Sequence, residues 1–192
     1  MGKAATKKPK ATTKTLKATP TKKLKATTKK LKTAVRQQFG VLPYRETTKA
    51  GLKILLVTSR ETSRWVIPKG WPIKGLKPAA SGAREAYEEA GVRGTTRSRA
   101  LDSFLYDKRT LEKHTTVPCE VTVYPMQVTR QETTWPEKAE RKRFWFSPMT
   151  AIGAVSENGL KAIIGDFVNG RRRIGPSQHP ALDAPSRIPS AE

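Results

Sequence analysis

The sequence predicts a mixed α/β (α+β) fold, with strands on either side of one internal helix and a second long helix near the end. Three observations carry that expectation. Runs rich in apolar and β-branched residues recur before and after residues 78–91, separated by polar stretches containing glycine and proline. Residues 78–91 begin with proline, end with glycine, and place Ala79, Ala83, Ala86 and Ala90 at three- and four-residue steps, the spacing of one helical face. Further on, Leu160, Ile163, Ile164, Phe167 and Val168 repeat at helical period.

Taken in order, residues 1–34 are almost wholly Lys, Thr and Ala, with a degenerate repeat in Leu16-Lys17-Ala18-Thr19, Leu24-Lys25-Ala26-Thr27 and Leu31-Lys32-Thr33. Three isolated leucines cannot offset the entropy of ordering such a segment, so it reads as a disordered basic tail. Strands are expected over Arg36 to Tyr44 and Leu52 to Ser59, joined by the polar loop Arg45 to Gly51, with a third, short strand at Trp65-Val66-Ile67. Pro68 to Lys77 holds two glycines, two prolines and three lysines and reads as a loop rather than an element. Pro78 suits the first turn of the internal helix and Gly91 its left-handed terminator. Gly82 within it costs about 1 kcal/mol relative to Ala, which implies close backbone packing at that position.

Arg99 to Asp107 and Thr116 to Val128 read as longer strands, residues 129–141 as a polar connection and Lys142 to Phe146 as a short strand. Ser147-Pro148 opens a short helix, and Ser156 caps the last helix, which Gly170 stops. Residues 171–192 carry four prolines and little apolar content, the composition of a mobile tail. The expected organisation is a basic tail over 1–34, a folded domain over 35–170 and a proline-rich tail over 171–192.

At 192 residues the chain holds one domain with a real core. Its net charge of +22 is uneven: residues 1–34 contribute twelve lysines and no acid, leaving +10 for the rest. Both parts favour polyanionic partners, whether phosphorylated metabolites, nucleic acid or acidic membrane. The tail's composition is that of a weak, salt-dependent nucleic-acid contact or of a merely solvated segment. A single cysteine, Cys119, excludes an internal disulfide and reads as a buried structural thiol. No apolar run is long enough to span a membrane and no signal-peptide core is present, so a cytoplasmic location is expected.

Against this basic background, Glu85, Glu88 and Glu89 stand at i, i+3 and i+4 of the internal helix. Carboxylates so placed share one patch and repel, by about 0.2–0.5 kcal/mol per pair. A divalent cation reverses that sign, and Mg²⁺ takes carboxylate oxygens while completing its shell with water and substrate phosphate.

The segment resembles the Nudix box: Gly, five residues, Glu, seven residues, Arg-Glu, an apolar residue, any residue, Glu-Glu, any residue, Gly and an apolar residue. Gly70, Arg84, Glu85, Ala86, Glu88, Glu89, Gly91 and Val92 all meet that spacing, and only Leu76 departs from it, standing where the pattern has its first Glu. The resemblance implies an α/β/α sandwich around a mixed sheet and hydrolysis of a phosphoanhydride with Mg²⁺, or Mn²⁺ in its place. It implies that Glu85 and Glu89 are metal ligands and that Glu88 holds a second ion or polarises water. Arg84 would orient the carboxylates, while Gly70 and Gly75 let the loop backbone approach the metal and the helix. Family members often take a general base from a distant loop, for which Glu132, Glu137 and Glu140 are the candidates here.

Arg64-Trp65-Val66-Ile67-Pro68-Lys69-Gly70 and Arg141-Lys142-Arg143-Phe144-Trp145-Phe146 look like the corresponding parts of the diphosphoinositol polyphosphate phosphohydrolase branch. The substrate class so implied is a diphosphoinositol polyphosphate, a dinucleoside polyphosphate or inorganic polyphosphate. Lys69, Lys74, Lys77, Arg141 and Arg143 are the candidate phosphate contacts, lysine as a point charge and arginine through its bidentate fork. Trp71 and Trp135 are candidates either for stacking on a base or for packing. His114 and His179 are isolated and are not placed as ligands. Two further readings are a nucleotide-pool or RNA-end pyrophosphohydrolase, and a nucleic-acid-associated binding protein with a basic tail on a weakened Nudix scaffold. The box glutamates weigh against the last, because a scaffold without metal would gain helix stability by losing them.

Overall fold

A computed structural model describes residues 1–2, 34–110 and 115–174. The chain divides into two units, Met1–Lys32 and Thr33–Glu192, and everything below concerns the second. Expectations for most of the basic tail, for the tail beyond residue 174, and for His114 and His179 lie outside the described residues.

Among the described residues the second unit is a mixed sheet of eight strands with three helices. Strand β1 (Arg36–Thr47) lies inside it, pairing antiparallel with β2 (Gly51–Thr58) and β4 (Lys69–Gly70), and parallel with β7 (Thr115–Gln131). Beyond β7 lie β5 (Val92–Thr96) and β6 (Asp102–Thr110), both antiparallel to it. Strands β3 (Trp65–Val66) and β8 (Arg143–Phe146) pair with β2. Val41 and Leu42 are both fully buried, as are Leu55 and Leu56. Successive side chains of a strand point to opposite faces, so both faces of this sheet are covered.

One face packs Leu42, Ile54, Leu56, Val121 and Val123 under Leu160, Ile163, Ile164 and Phe167 of α3 (Asn158–Ile174), with Ala151 of α2 (Pro148–Ala154). The other packs Val41, Leu55, Val57, Val92 and Met126 under Ala79, Ala86 and Ala90 of α1 (Pro78–Ala90). The architecture is the α/β/α sandwich expected from the motif.

Helix α1 follows its sequence closely. Pro78 sits in the first turn, and Gly91 ends the helix in the left-handed region at φ 60°, its N–H reaching the Tyr87 carbonyl at 2.9 Å. A Cβ on Gly82 would stand 3.0 Å from Val41 Cγ1 and 3.1 Å from the Gly40 carbonyl. The helix therefore touches the backbone of β1 there, and closeness of packing offsets the propensity cost.

Other elements depart from expectation. The Pro68–Lys77 stretch contains β4, a two-residue pairing with β1 at Phe39 and Gly40. Strand β5 follows Gly91 directly, although Val-Arg-Gly-Thr-Thr has no apolar alternation; its pairing partner β7 supplies the order. Strand β7 runs to Gln131, into the expected polar connection, and α3 begins at Asn158 rather than beside Ser156. Gly170 does not stop α3, which continues to Ile174. Arg171, one residue on, pairs with Glu46 and lies 4.7 Å over the Tyr44 ring, contacts that hold the last turn. Cys119 is buried, as expected of a structural thiol. Among the described residues no helix is long and apolar enough to cross a membrane.

Candidate active-site cleft

The acidic side of α1 opens onto a cleft of about 190 Å³. Four segments remote in sequence meet there. Lys69 and Gly70 come from β4, Glu85 and Glu89 from α1, Glu137 and Arg141 from the segment before β8, and Tyr106 to Arg109 from β6. Arg60 and Arg64, in the turn after β2, and Glu157, just ahead of α3, complete the lining used below.

Each acidic group is placed by a local reason. Gly70 lies so close to α1 that a Cβ would run into the Glu85 carboxylate, so glycine at this position of the motif has a steric cause. Glu89 is 7% exposed at its side chain; it accepts from the Lys69 backbone N–H at 3.2 Å and pairs with Arg141. The Glu137 N–H donates to the Glu88 carbonyl at 3.0 Å, which pins the segment before β8 to the helix. Arg141, also 7% exposed at its side chain, pairs with Glu89 and Glu137 and donates to the Thr58 carbonyl at 2.9 Å. It joins the acid cluster to β2.

The cluster is electrostatically unbalanced. Burial, then the charges of Glu89, Glu88 and Glu137, push the Glu85 carboxyl up to about 7. Burial likewise raises Glu89, opposed by Lys69 and Arg141, and the same burial lowers the Lys69 ammonium against the pull of Glu89 and Glu157. Two buried partners thus each resist their charge and each restore part of the other's. Tyr106 is also raised, chiefly by burial; it donates to Gln38 Oε1 at 2.7 Å and carries Lys69 Nζ 5.2 Å over its ring.

The three box glutamates do not converge. Glu88 turns to Arg84, at 2.6 Å, and Glu89 to Arg141, leaving Glu85 as the box carboxylate without an ion-pair partner among the described residues. Among those residues no three His, Cys, Asp or Glu side chains form a ready ligand cage. The donor set nevertheless fits a divalent cation. Glu85, Glu89 and Glu137 all line the cleft, burial and then their mutual repulsion raise the Glu85 carboxyl, and hard cations take carboxylate oxygen.

Of the three loop glutamates, only Glu137 lines the cleft. Glu140 is held outside by Arg60 at 3.4 Å, and Glu132 by Arg130 at 3.0 Å and Arg93 at 3.4 Å. Of the five basic candidates, Lys69 and Arg141 line it, whereas Lys74 and Lys77 are exposed outside it. Arg143 caps α1 instead: its guanidinium donates to the carbonyls of Ala90 at 2.5 Å and Glu132 at 2.7 Å and lies 3.8 Å over the Trp135 ring. Trp135 is therefore a packing residue beside Gly91. Trp71 lines the cleft with Arg36 4.1 Å and Lys108 4.8 Å from its ring centroid. Gly75 serves the loop through a positive φ of 85°, with nothing within contact of a Cβ there, so close approach is Gly70's task alone. Leu76 is not part of the lining.

Sequence reasoning missed Arg60, Arg64, Lys108, Arg109 and Glu157. Nothing local distinguishes the four cations in a chain with 38 basic residues, or Glu157 among its 16 acids; only the meeting of β2, β6 and the start of α3 does so.

Residues 35–163 match the NUDIX domain family. Nudix hydrolase 21, chloroplastic, of Arabidopsis thaliana is 30% identical over 139 residues, covering 70% of this chain and 67% of that protein. Diphosphoinositol polyphosphate phosphohydrolase 3-beta of Homo sapiens is 35% identical over 101 residues, 52% of this chain and 57% of that protein. The chain thus spans only part of the length of these relatives. In structure it is similar to a C. elegans Ap4A hydrolase binary complex, with TM-score 0.55 and 18% identity, covering 71% of this chain and 100% of that one. It is also similar to the NUDIX domain of Shewanella oneidensis NrtR complexed with ADP ribose, with TM-score 0.54 and 14% identity, covering 72% and 90%. At those identities the likeness is one of fold.

Proposed function

The chain belongs to the Nudix family of hydrolases, and from that premise we propose that it is a divalent-cation-dependent pyrophosphohydrolase cleaving a phosphoanhydride bond of a highly phosphorylated small molecule. The observation that carries this reading is the opposition of charges within one cleft. Carboxylates of Glu85, Glu89 and Glu137 line it together with the cations Arg60, Arg64, Lys69, Lys108, Arg109 and Arg141. Glu89 and Glu137 are partly neutralised by Arg141, whereas Glu85 has no ion-pair partner among the described residues, and a ligand assembly of metal and polyphosphate suits both sets.

Glu85 and Glu89 would hold Mg²⁺ or Mn²⁺, which when bound supplies Lewis-acid neutralisation of phosphate oxygens. Glu137 is the general base: it takes a proton from the water that attacks phosphorus as the anhydride bond breaks and the second phosphate leaves. Arg84 fixes Glu88 and so steadies the neighbouring ligand Glu85. The arginines bind phosphate through paired N–H groups and the lysines by charge.

A diphosphoinositol polyphosphate is the substrate class this cleft fits best. The similarity to a human diphosphoinositol polyphosphate phosphohydrolase supports it, and so does the aromatic inventory. Trp135 is packed under Arg143, and Trp71 already carries Arg36 and Lys108, so the cleft presents cations more readily than a free ring for a base. A dinucleoside polyphosphate is the second reading, because Trp71 does line the cleft. Phosphate release from a panel of inositol pyrophosphates, dinucleoside polyphosphates and nucleoside triphosphates with Mg²⁺ tests the proposal, with Glu89→Gln run beside the native chain. Turnover of one class that collapses in the variant supports it. No turnover on any member removes the enzyme reading and leaves the fold as a binding scaffold.

A further inference from the structure

We propose that Arg141 is an intramolecular counter-cation that occupies the acid cluster in the metal-free chain and must yield Glu89 when a divalent cation binds. The inference rests on the metal reading above and concerns what stands in the metal's way. Both oxygens of the Glu89 carboxylate are taken: one by the Arg141 guanidinium, the other by the Lys69 backbone N–H. The backbone donor belongs to β4, fixed by its pairing with β1. The guanidinium ends a long side chain whose other contacts are Glu137 and the Thr58 carbonyl, so of the two donors it is the one able to leave.

Arg141 has somewhere to go. It lines the same cleft as Arg60, Arg64 and Arg109, and a guanidinium that gives up one carboxylate presents its fork to phosphate instead. Its other acidic partner is Glu137, four residues earlier. Turning Arg141 toward an anion also loosens Glu137, the carboxylate assigned to proton abstraction, which is then left with only the longer contact to Arg60 at 3.7 Å among the described residues. One side chain thus links cation entry, anion capture and release of the base, which is a coupling between two ligands in the thermodynamic sense. Arg84 does not share this role: it pairs with Glu88 within one helical turn, and neither residue lines the cleft.

A simpler role predicts the opposite sign. If Arg141 only positioned Glu89 for the metal, removing it would weaken cation binding. If it competes for Glu89, removing it strengthens binding, because the carboxylates lose their internal neutraliser. Mn²⁺ affinity of the full chain, measured calorimetrically without substrate, separates the two. Arg141→Gln is expected to bind Mn²⁺ on the order of tenfold more tightly than the native chain. Its thermal midpoint is expected to fall in chelator and to rise further on Mn²⁺ addition than the native midpoint does. Arg141→Lys, which keeps a charge without the fork, is expected to fall between them and carries the test if the glutamine variant does not fold without metal. Weaker Mn²⁺ binding by the variants, or affinity equal to native, overturns this inference while leaving the metal reading in place. An absence of Mn²⁺ binding in native and variants alike overturns both.

Discussion

Helices α1 and α3 cover opposite faces of one sheet, yet they are built to different ends. Helix α3 presses Leu160, Ile163, Ile164 and Phe167 into the sheet, large side chains with no unmet electrostatic demand. Helix α1 makes its contact with alanines and Gly82, a thinner apolar seam that draws its backbone onto β1. What that closeness achieves is position: it sets Glu85 against Gly70 and Glu89 beneath Lys69 and Arg141. One face of the molecule stabilises, and the other holds repelling charges in place at a cost to stability. The difference teaches that the fold alone does not account for the acidic side of α1, which the proposed metal site does.

The contrast can be broken at either helix. The largest effect is expected at the cleft, where Glu137→Gln should lower kcat about 10²- to 10⁴-fold while the circular dichroism spectrum and thermal midpoint stay near native. On the α3 side, Leu160→Ala should lose about 2–5 kcal/mol of stability in denaturant titration, with kcat of the folded protein unchanged. Loss of turnover in that variant beyond its folded fraction would mean the two faces are not separable. Arg143→Ala tests the boundary between them. It strips the cap from the Ala90 and Glu132 carbonyls and should cost about 1–3 kcal/mol, read as a lower denaturation midpoint, with little change in KM if its role is structural.

The smallest effect sharpens the comparison through pH. The folded Glu85 carboxyl titrates near 7, above its usual value of 4.5, so the folded chain holds that proton more tightly than the unfolded chain does. Its contribution is fully favourable below about pH 4.5 and is lost as pH rises through 7. Glu85→Gln should therefore match native stability in acid and exceed it increasingly from about pH 5 to 8 in chelator, as followed by thermal melts. A flat difference across that range would show that Glu85 carries no such penalty.

How far the sequence foretold this depends on how local each determinant is. Helix α1, its proline start, its Gly91 terminator and its two faces are written within 14 consecutive residues, Pro78 to Gly91, and the structure repeats them. Helical spacing likewise brings Glu85 and Glu89 to the cleft, although Glu88, expected beside them, turns away from it. Their partners were not all legible. That Glu88 goes to Arg84 follows from i,i+4 spacing, but Arg141 reaches Glu89 across 52 positions in sequence. Arg143 and Arg141 are two residues apart and look alike in sequence, yet Arg143 opens β8 and reaches the Ala90 and Glu132 carbonyls, while Arg141, in the segment before the strand, enters the cleft. Strand β5 was illegible for the converse reason. Its order comes from β7 and not from its own residues.

The central claim is that the charge conflict on α1 is held for a divalent cation. Its most direct test needs no substrate: the thermal midpoint of the native chain and of Glu85→Gln at pH 8, each in Mg²⁺ and in chelator. The account predicts that Mg²⁺ raises the native midpoint, since a ligand that binds only the folded state stabilises it. It also predicts that Glu85→Gln melts above native in chelator and gains little from Mg²⁺. A native midpoint that is the same in Mg²⁺ and in chelator would contradict the claim.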